Sequence, residues 1–236
     1  MDIKGKNILV IGASGGIGSA ISGSLQDKDA NLLLHYNTKK SESIKGENLK
    51  WIQADLTKNI EVENLFSQIS SLDALIYVSG IEKSSADPLD INTWKDIFAV
   101  NLFGAVNVTS KAISKISDGG VIIFISSLVG NPNVTFESDS IAYPASKAGL
   151  NKLAEGITAM YGNKVRTCVV SPGYVRTPMW DRLGADMTRE ALEYVPTKKF
   201  IEPSEVASIV TEVIENDSFN GSNIVIDRGL GLKKIF

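Results

Sequence analysis

An α/β fold, with a doubly wound (Rossmann-type) parallel β-sheet flanked by helices on both faces, is what this sequence predicts, and three observations carry the prediction. Short continuous apolar runs at 8–11, 31–34, 72–78, 121–126, 166–170 and 223–226 have the length and lack of alternation expected of strands buried on both faces. Between most of them lie stretches with apolar residues three and four apart, at 17–25, 60–70, 93–116, 143–161 and 203–215, which is the period of an amphipathic helix. The first apolar run ends in Gly12, Gly15, Gly16 and Gly18, where a buried strand must turn into the first helix. Strand and helix alternating in this way imply parallel strands joined by crossovers that lay helices on both faces. Two segments, 130–140 and 177–200, show no clear period and are predicted as loops, which at that length are usually functional or mobile.

The whole chain, 1–236, reads as one domain, because no repeat, low-complexity tract or linker interrupts the alternation and 236 residues suffice for one large core. Apolar residues at 43% and charged residues at 22% are ordinary globular values. A net charge of -3, with no Lys/Arg block longer than a pair, excludes a nucleic-acid footprint. The apolar runs fall far short of the roughly 18 residues needed to cross a bilayer. The early glycines break the run that follows Lys4 and Lys6, which does not suit a signal peptide, so a cytoplasmic location is expected. Cys168 is the only cysteine and is expected in the core; no intramolecular disulfide can form, and no metal site is expected.

The first chemistry-bearing motif is Gly12-Ala13-Ser14-Gly15-Gly16-Ile17-Gly18. Glycines let a backbone turn tightly and approach a pyrophosphate, whose charge the free N–H groups of a helix N-terminus stabilise. The spacing departs from G-x-G-x-x-G, and a glycine turn without ligand is the plain alternative. At the end of strand two stands Leu34-His35-Tyr36-Asn37-Thr38-Lys39-Lys40. No acid is present there to hold the adenosine ribose, as NAD selection usually requires. Lys39 and Lys40 follow closely enough to meet a 2′-phosphate, with a solvated loop the plain alternative for either one, and NADP(H) is favoured over NAD(H), Tyr36 and Asn37 being cofactor-binding candidates. His35, the only histidine, reads as a partly buried strand-end residue. Tyr143 and Lys147, four apart, share one helix face with Cβ atoms about 5–6 Å apart, and Pro144 suits a first helical turn. A tyrosine of pKa about 10 is too weak an acid for neutral pH, and a cation at about 4 Å lowers it by roughly three units at an effective dielectric of about 20. Such a pair alone is common in helices, and its weight comes from what accompanies it.

Ile125-Ser126-Ser127-Leu128-Val129-Gly130 and Tyr143-Pro144-Ala145-Ser146-Lys147-Ala148-Gly149, with the glycine turn, resemble the short-chain dehydrogenase/reductases, nearest the 3-oxoacyl-carrier-protein reductase branch. Asp55-Leu56-Thr57, Val78-Ser79-Gly80, Asn101 and Ser171-Pro172-Gly173-Tyr174-Val175-Arg176-Thr177 fit the same order, so the resemblance spans essentially the whole chain. It implies a catalytic set of Asn101, Ser127, Tyr143 and Lys147, with Ser127 rather than Ser126 holding the substrate oxygen. It implies that Gly12, Ser14, Gly16, Ile17 and Gly18 line the pyrophosphate, Asp55 and Leu56 the adenine, Ser79 and Gly80 the adenosine ribose, and Pro172, Gly173, Val175 and Thr177 the nicotinamide. Lys147 would also bind the nicotinamide ribose, and Asn101 would position a water toward solvent. The expected reaction interconverts a small-molecule carbonyl and a secondary alcohol by hydride transfer, 3-oxoacyl thioesters among the substrates, in a homo-oligomer (tetramer or dimer) whose tail, with Gly229 and Gly231, packs at an interface. Three departures stand out: Gly15 where NADP-preferring members often carry arginine, Val78-Ser79-Gly80 for Asn-Ala-Gly, and a longer interval from Ser127 to Tyr143. A catalytically silent NADP(H)-binding sensor is the alternative, and the intact catalytic set weighs against it. Epimerisation or dehydration of sugars would need a larger C-terminal region.

Overall fold

The computed structural model describes residues 1–132, 134, 140–178, 180 and 184–232. Seven strands, β1 (Asn7–Ile11), β2 (Asn31–Tyr36), β3 (Leu49–Gln53), β4 (Leu72–Tyr77), β5 (Ile116–Ile125), β6 (Arg166–Pro172) and β7 (Ser222–Ile226), form one sheet in the order β3-β2-β1-β4-β5-β6-β7. Every pairing is parallel. Around it lie α1 (Gly16–Gln26), α2 (Asn59–Ser67), α3 (Ile91–Phe98), α4 (Gly104–Ala112), α5 (Ala142–Tyr161), α6 (Ala185–Glu193) and α7 (Pro203–Glu215).

The two-period of a strand sorts its side chains into two separate cores. Ile8 and Val10 of β1, Ile123 and Ile125 of β5, and Cys168 and Val170 of β6 pack on one face with Ile21 and Leu25 of α1 and Val206 and Val210 of α7. Leu9, Ile11, Ile122, Phe124 and Val169 point the other way, against Val62 and Leu65 of α2, Val108 of α4 and Leu150 and Ala154 of α5. Both faces are thereby buried, which is why these strands read as unbroken apolar runs. Cys168 is fully buried, as a core residue should be. The helix ends follow local chemistry: the Asp90 carboxylate accepts from the Thr93 N–H at 2.9 Å to open α3, and Glu202 with Glu205 forms a capping box around Pro203 to open α7.

Four local readings change. β3 is missing from the apolar runs because it is an edge strand, with Ile52 its only buried side chain. The helix expected over 93–116 stops at Ala112, since Ile116 pairs with Leu72 and already belongs to β5. That same helix is interrupted at Ala99–Phe103 by a π-helical segment. Within 177–200, α6 forms where a loop was expected; it is nine residues long and none of them is buried. Of the predicted 130–140 loop, residues 133 and 135–139 lie outside the described residues, as do 179 and 181–183 of the second. The tail turns back within its own chain, where Leu230 packs with Leu128 and Val195.

Candidate active site

The chain order reverses beside β1, whose neighbours are β2 and β4, and the carboxyl ends of the strands open a crevice at that switch point, the place where such sheets bind ligands. Sequence dictates the shape of the glycine turn there. Gly12 has φ +86°, and a Cβ on it would lie 2.7 Å from the Ser79 hydroxyl, so a side chain is barred twice over. At Gly18 a Cβ would lie 2.1 Å from the Gly12 carbonyl oxygen, so only glycine lets α1 close onto the end of β1. Ser14 and Gly15 are exposed on the crest, and a Cβ at Gly16 would face Thr177 at 3.3 Å across the crevice.

The other predicted cofactor residues ring this turn. Gly80 follows Ser79 at the end of β4, held as the Val78 and Ser79 N–H groups donate to the Ile11 carbonyl. Tyr36, in edge contact with Trp51, and the exposed Asn37 end β2, followed by exposed Thr38, Lys39 and Lys40. Leu56 is buried, while the Asp55 carboxylate accepts from the Thr57 N–H at 3.0 Å and hydroxyl at 2.7 Å, bonds that hold its pKa below the usual range. Pro172 ends β6, the Gly173 N–H donates to the Ile226 carbonyl, and Val175 bridges to Ile201, which aims the segment reaching Thr177 back at the glycine turn.

On the opposite wall stand Ser127, Tyr143 and Lys147. The Ser127 side chain shares a hydrogen bond with the Tyr143 phenol, whereas Ser126 is buried and donates to the Lys147 carbonyl at 3.2 Å. Tyr143 and Lys147 both lie in the first turns of α5, with Pro144 between them, and the ammonium sits 5.6 Å from the phenol ring centre. Lys147 is 3% exposed, and its Nζ donates to the Ile125 carbonyl at 3.0 Å. Asn101, fully buried in the π-helical segment, clamps the strand-four loop: Oδ1 accepts from the Ile81 N–H at 2.8 Å, and Nδ2 donates to the Ile81 carbonyl and the Ser146 hydroxyl, each at 3.0 Å. Its side chain is thus held by Ile81 and Ser146.

The expected pull of Lys147 on Tyr143 is counted before desolvation and together with an oxidised nicotinamide; in the chain alone, desolvation prevails. Burial, seconded by the negative charge of Glu82, pushes the Tyr143 pKa well above its ordinary value, and the Ser127 bond offsets only part of that. Burial also lowers Lys147 to about 8, against the opposing pull of Glu82. Geometry contributes, because the Lys147 ammonium turns toward the Ile125 carbonyl. The chain by itself therefore keeps Tyr143 protonated. Glu82 belongs to no motif, and sequence reading passed it over; it stays exposed at the rim, with burial of its carboxyl raising its pKa against the pull of Lys147. Only its place two residues beyond Gly80 hinted at the crevice.

These surroundings fit a dinucleotide. Helix α1 begins at Gly15 with no side-chain cap and no acid in its first turn, which leaves its N-terminus open to an anion. The buried Lys147 ammonium has one protein acceptor among the described hydrogen bonds and three protons to give. No cluster of three or more metal-ligating side chains occurs among the described residues.

Fold and crevice together are those of a Rossmann-type protein with one catalytic-looking wall. Comparison with known proteins narrows this: the model of the short chain dehydrogenase family matches residues 6–188, and the chain belongs to that family. Membership makes it an oxidoreductase of carbonyls and alcohols that works with NAD(P)(H) on small molecules. Among its relatives are a 3-oxoacyl-acyl-carrier-protein reductase of Staphylococcus epidermidis, 29% identical over 95% of this chain and 98% of its own. Carbonyl reductase family member 4 of Danio rerio is also 29% identical, over 95% and 97%. A solved dehydrogenase/reductase of Sinorhizobium meliloti superposes with a TM-score of 0.89 at 26% identity, covering 97% of each chain. No described helix is long and apolar enough to cross a membrane.

Proposed function

We propose that this chain is an NADP(H)-dependent carbonyl reductase in which Tyr143 is the general acid. The observation that carries the reading is the Ser127, Tyr143 and Lys147 wall facing the glycine turn across the switch-point crevice, with the phenol held in its protonated form. A bound nicotinamide dinucleotide supplies the hydride. The chain supplies the proton and the orientation: Ser127 donates to the carbonyl oxygen, and Tyr143 transfers its proton to that oxygen as the carbon is reduced, leaving a secondary alcohol and a phenolate. Lys147, held by the Ile125 carbonyl, has protons left for the ribose hydroxyls. Asn101 keeps Ile81, and with it Gly80, packed under Lys147.

NADP(H) is preferred here because β2 ends without an acid and is followed by exposed Lys39 and Lys40. Lys39 is tied to Glu42 only by an exposed contact of 3.9 Å, the kind worth little, so it can turn to a 2′-phosphate. The relatives' names bring 3-oxoacyl thioesters and other small carbonyls to the head of the substrate screen. We also read one domain that assembles as a homo-oligomer in the cytoplasm; exposed Phe103, Val106 and Met160 on α4, its preceding segment and α5 support the assembly. The test is a panel of carbonyls, including acetoacetyl thioesters, followed by NADPH absorbance, alongside fluorescence titrations of NADPH and NADH. Oxidation of NADPH by a member of the panel is expected, and tighter binding of NADH than NADPH would overturn the cofactor assignment.

A further inference from the structure

The strands that end around the glycine turn are tied together by a side chain outside every motif. His35, 2% exposed at the end of β2, has a partner on each ring nitrogen: the Gly12 N–H donates to Nδ1 at 3.1 Å, and Nε2 lies 2.9 Å from the Ala54 carbonyl oxygen. An N–H can only donate and a carbonyl only accept, so Nδ1 must be bare and Nε2 must carry the proton. The other neutral tautomer would set proton against proton at Gly12 and lone pair against lone pair at Ala54, and the imidazolium would spoil the Gly12 side. Burial favours the neutral ring, and the one group acting against it is the Ala54 carbonyl; no carboxylate or cation contributes. The backbone follows the same path, since the Ala13 N–H donates to the His35 carbonyl at 3.0 Å and the Ala54 N–H to the Tyr36 carbonyl at 3.1 Å.

We infer that His35 is a positioning residue for the adenosine half of the cofactor site, a neutral two-ended brace that fixes where the glycine turn starts relative to the ends of β2 and β3. The three segments it joins are those assigned to pyrophosphate (Gly12 onward), ribose and 2′-phosphate (Tyr36 onward) and adenine (Asp55 onward). Gly12 has no freedom to compensate, being held on its other side against Ser79. A rigid ring with an acceptor at one end and a donor at the other meets both demands at once, where an aliphatic side chain meets neither and leaves the Gly12 N–H without its partner. His35 is not a catalytic residue, so its removal weakens cofactor binding and leaves the chemical step largely alone. The inference rests on the NADP(H) reading above.

As the chain has one histidine, a long-range ¹H–¹⁵N spectrum of the whole protein labelled at histidine contains one imidazole. It is expected to show bare Nδ1 and protonated Nε2 at pH 7, in the presence and absence of NADPH; an imidazolium or an Nδ1–H tautomer overturns the inference without any mutation. In His35→Phe, affinity for NADPH and for adenosine 2′,5′-bisphosphate, measured by fluorescence and calorimetry, should fall together by about tenfold or more. At saturating NADPH kcat should stay within about twofold, and His35→Gln, which keeps an acceptor and a donor, should recover part of the loss. Undiminished binding in His35→Phe, or a loss confined to kcat, overturns the inference alone. A wild-type protein that binds neither NADPH nor NADH removes the cofactor reading, and the inference with it.

Discussion

Replacing Tyr143 by phenylalanine keeps the ring that packs against the Lys147 ammonium and removes the proton that is transferred to the carbonyl oxygen. Turnover of the best carbonyl should therefore drop at least about 100-fold, the lower range for general acid catalysis, while NADPH titrates as in the wild type. Activity within a few-fold of wild type would end the assignment of the acid. Glu82 calls for a different kind of test, because its charge acts on both Tyr143 and Lys147 and raises the pKa of each. In Glu82→Gln both values should fall. Alcohol oxidation needs the phenolate, so its pH–rate profile should move to lower pH in the variant; a profile that stays in place would show that the carboxylate has no hold on the phenol. That residue was illegible in the sequence because nothing local marks it: its influence arises from a loop that Asn101 clamps from 20 positions away. Tyr143 and Lys147 were legible because their four-residue spacing on α5 sets their geometry before any tertiary contact does.

Element by element, legibility follows how strictly a position demands its residue. The join of β1 to α1 was readable since two backbones approach there within the space of a missing Cβ, and α1 supplies its own control. A methyl group at Gly18 collides with backbone at Gly12, which can yield only if the helix backs away from the strand, whereas one at Gly23 meets nothing within 4 Å. Gly18→Ala should thus lower the melting temperature and weaken NADPH binding about tenfold or more. Gly23→Ala should leave binding alone and stabilise by about 0.5–1 kcal/mol, the helix-propensity difference. Calorimetric melts and NADPH titrations of the two variants check the pair, and equal behaviour would detach the turn from the crevice. By contrast β3 and α6 were not readable, one an edge strand with a single buried side chain and the other a nine-residue helix with none, so neither belongs to the buried core that the apolar runs trace. The π-helical segment has no such signature either; the resemblance marks Asn101, but its clamp on Ile81 is visible only in the fold.

For the molecule as a whole, the buried titratable groups set a stability curve with three slopes. Where the unfolded chain holds more protons than the folded one, stability rises with pH. His35, lowered from 6.5 by burial, makes that true in mild acid: the unfolded ring takes up a proton first, so stability falls as pH drops below about 6.5 until the folded ring also titrates. Lys147 makes it true again between about 8, its folded value, and its ordinary 10.5, an interval that corresponds to a gain of about 3 kcal/mol at most. From about pH 9 the buried Cys168 thiol, raised above its ordinary 9.0, begins to oppose that gain, and above pH 10 the sign reverses as Tyr77 and Tyr143, pushed above their ordinary 10, keep protons that the unfolded chain gives up. Unfolding of the cofactor-free protein, followed by calorimetry from pH 5 to 11, should accordingly show a midpoint that climbs through 6.5, climbs again from 8 toward 10, and then declines. Lys147→Met removes the group responsible for the second climb and no other, so that variant should keep the acid limb, lose the rise between 8 and 10 and decline from about pH 9 onward. The same rise in Lys147→Met would mean that the ammonium is solvated in the folded protein, and the enclosed wall around Tyr143 would have to be more open than its burial implies.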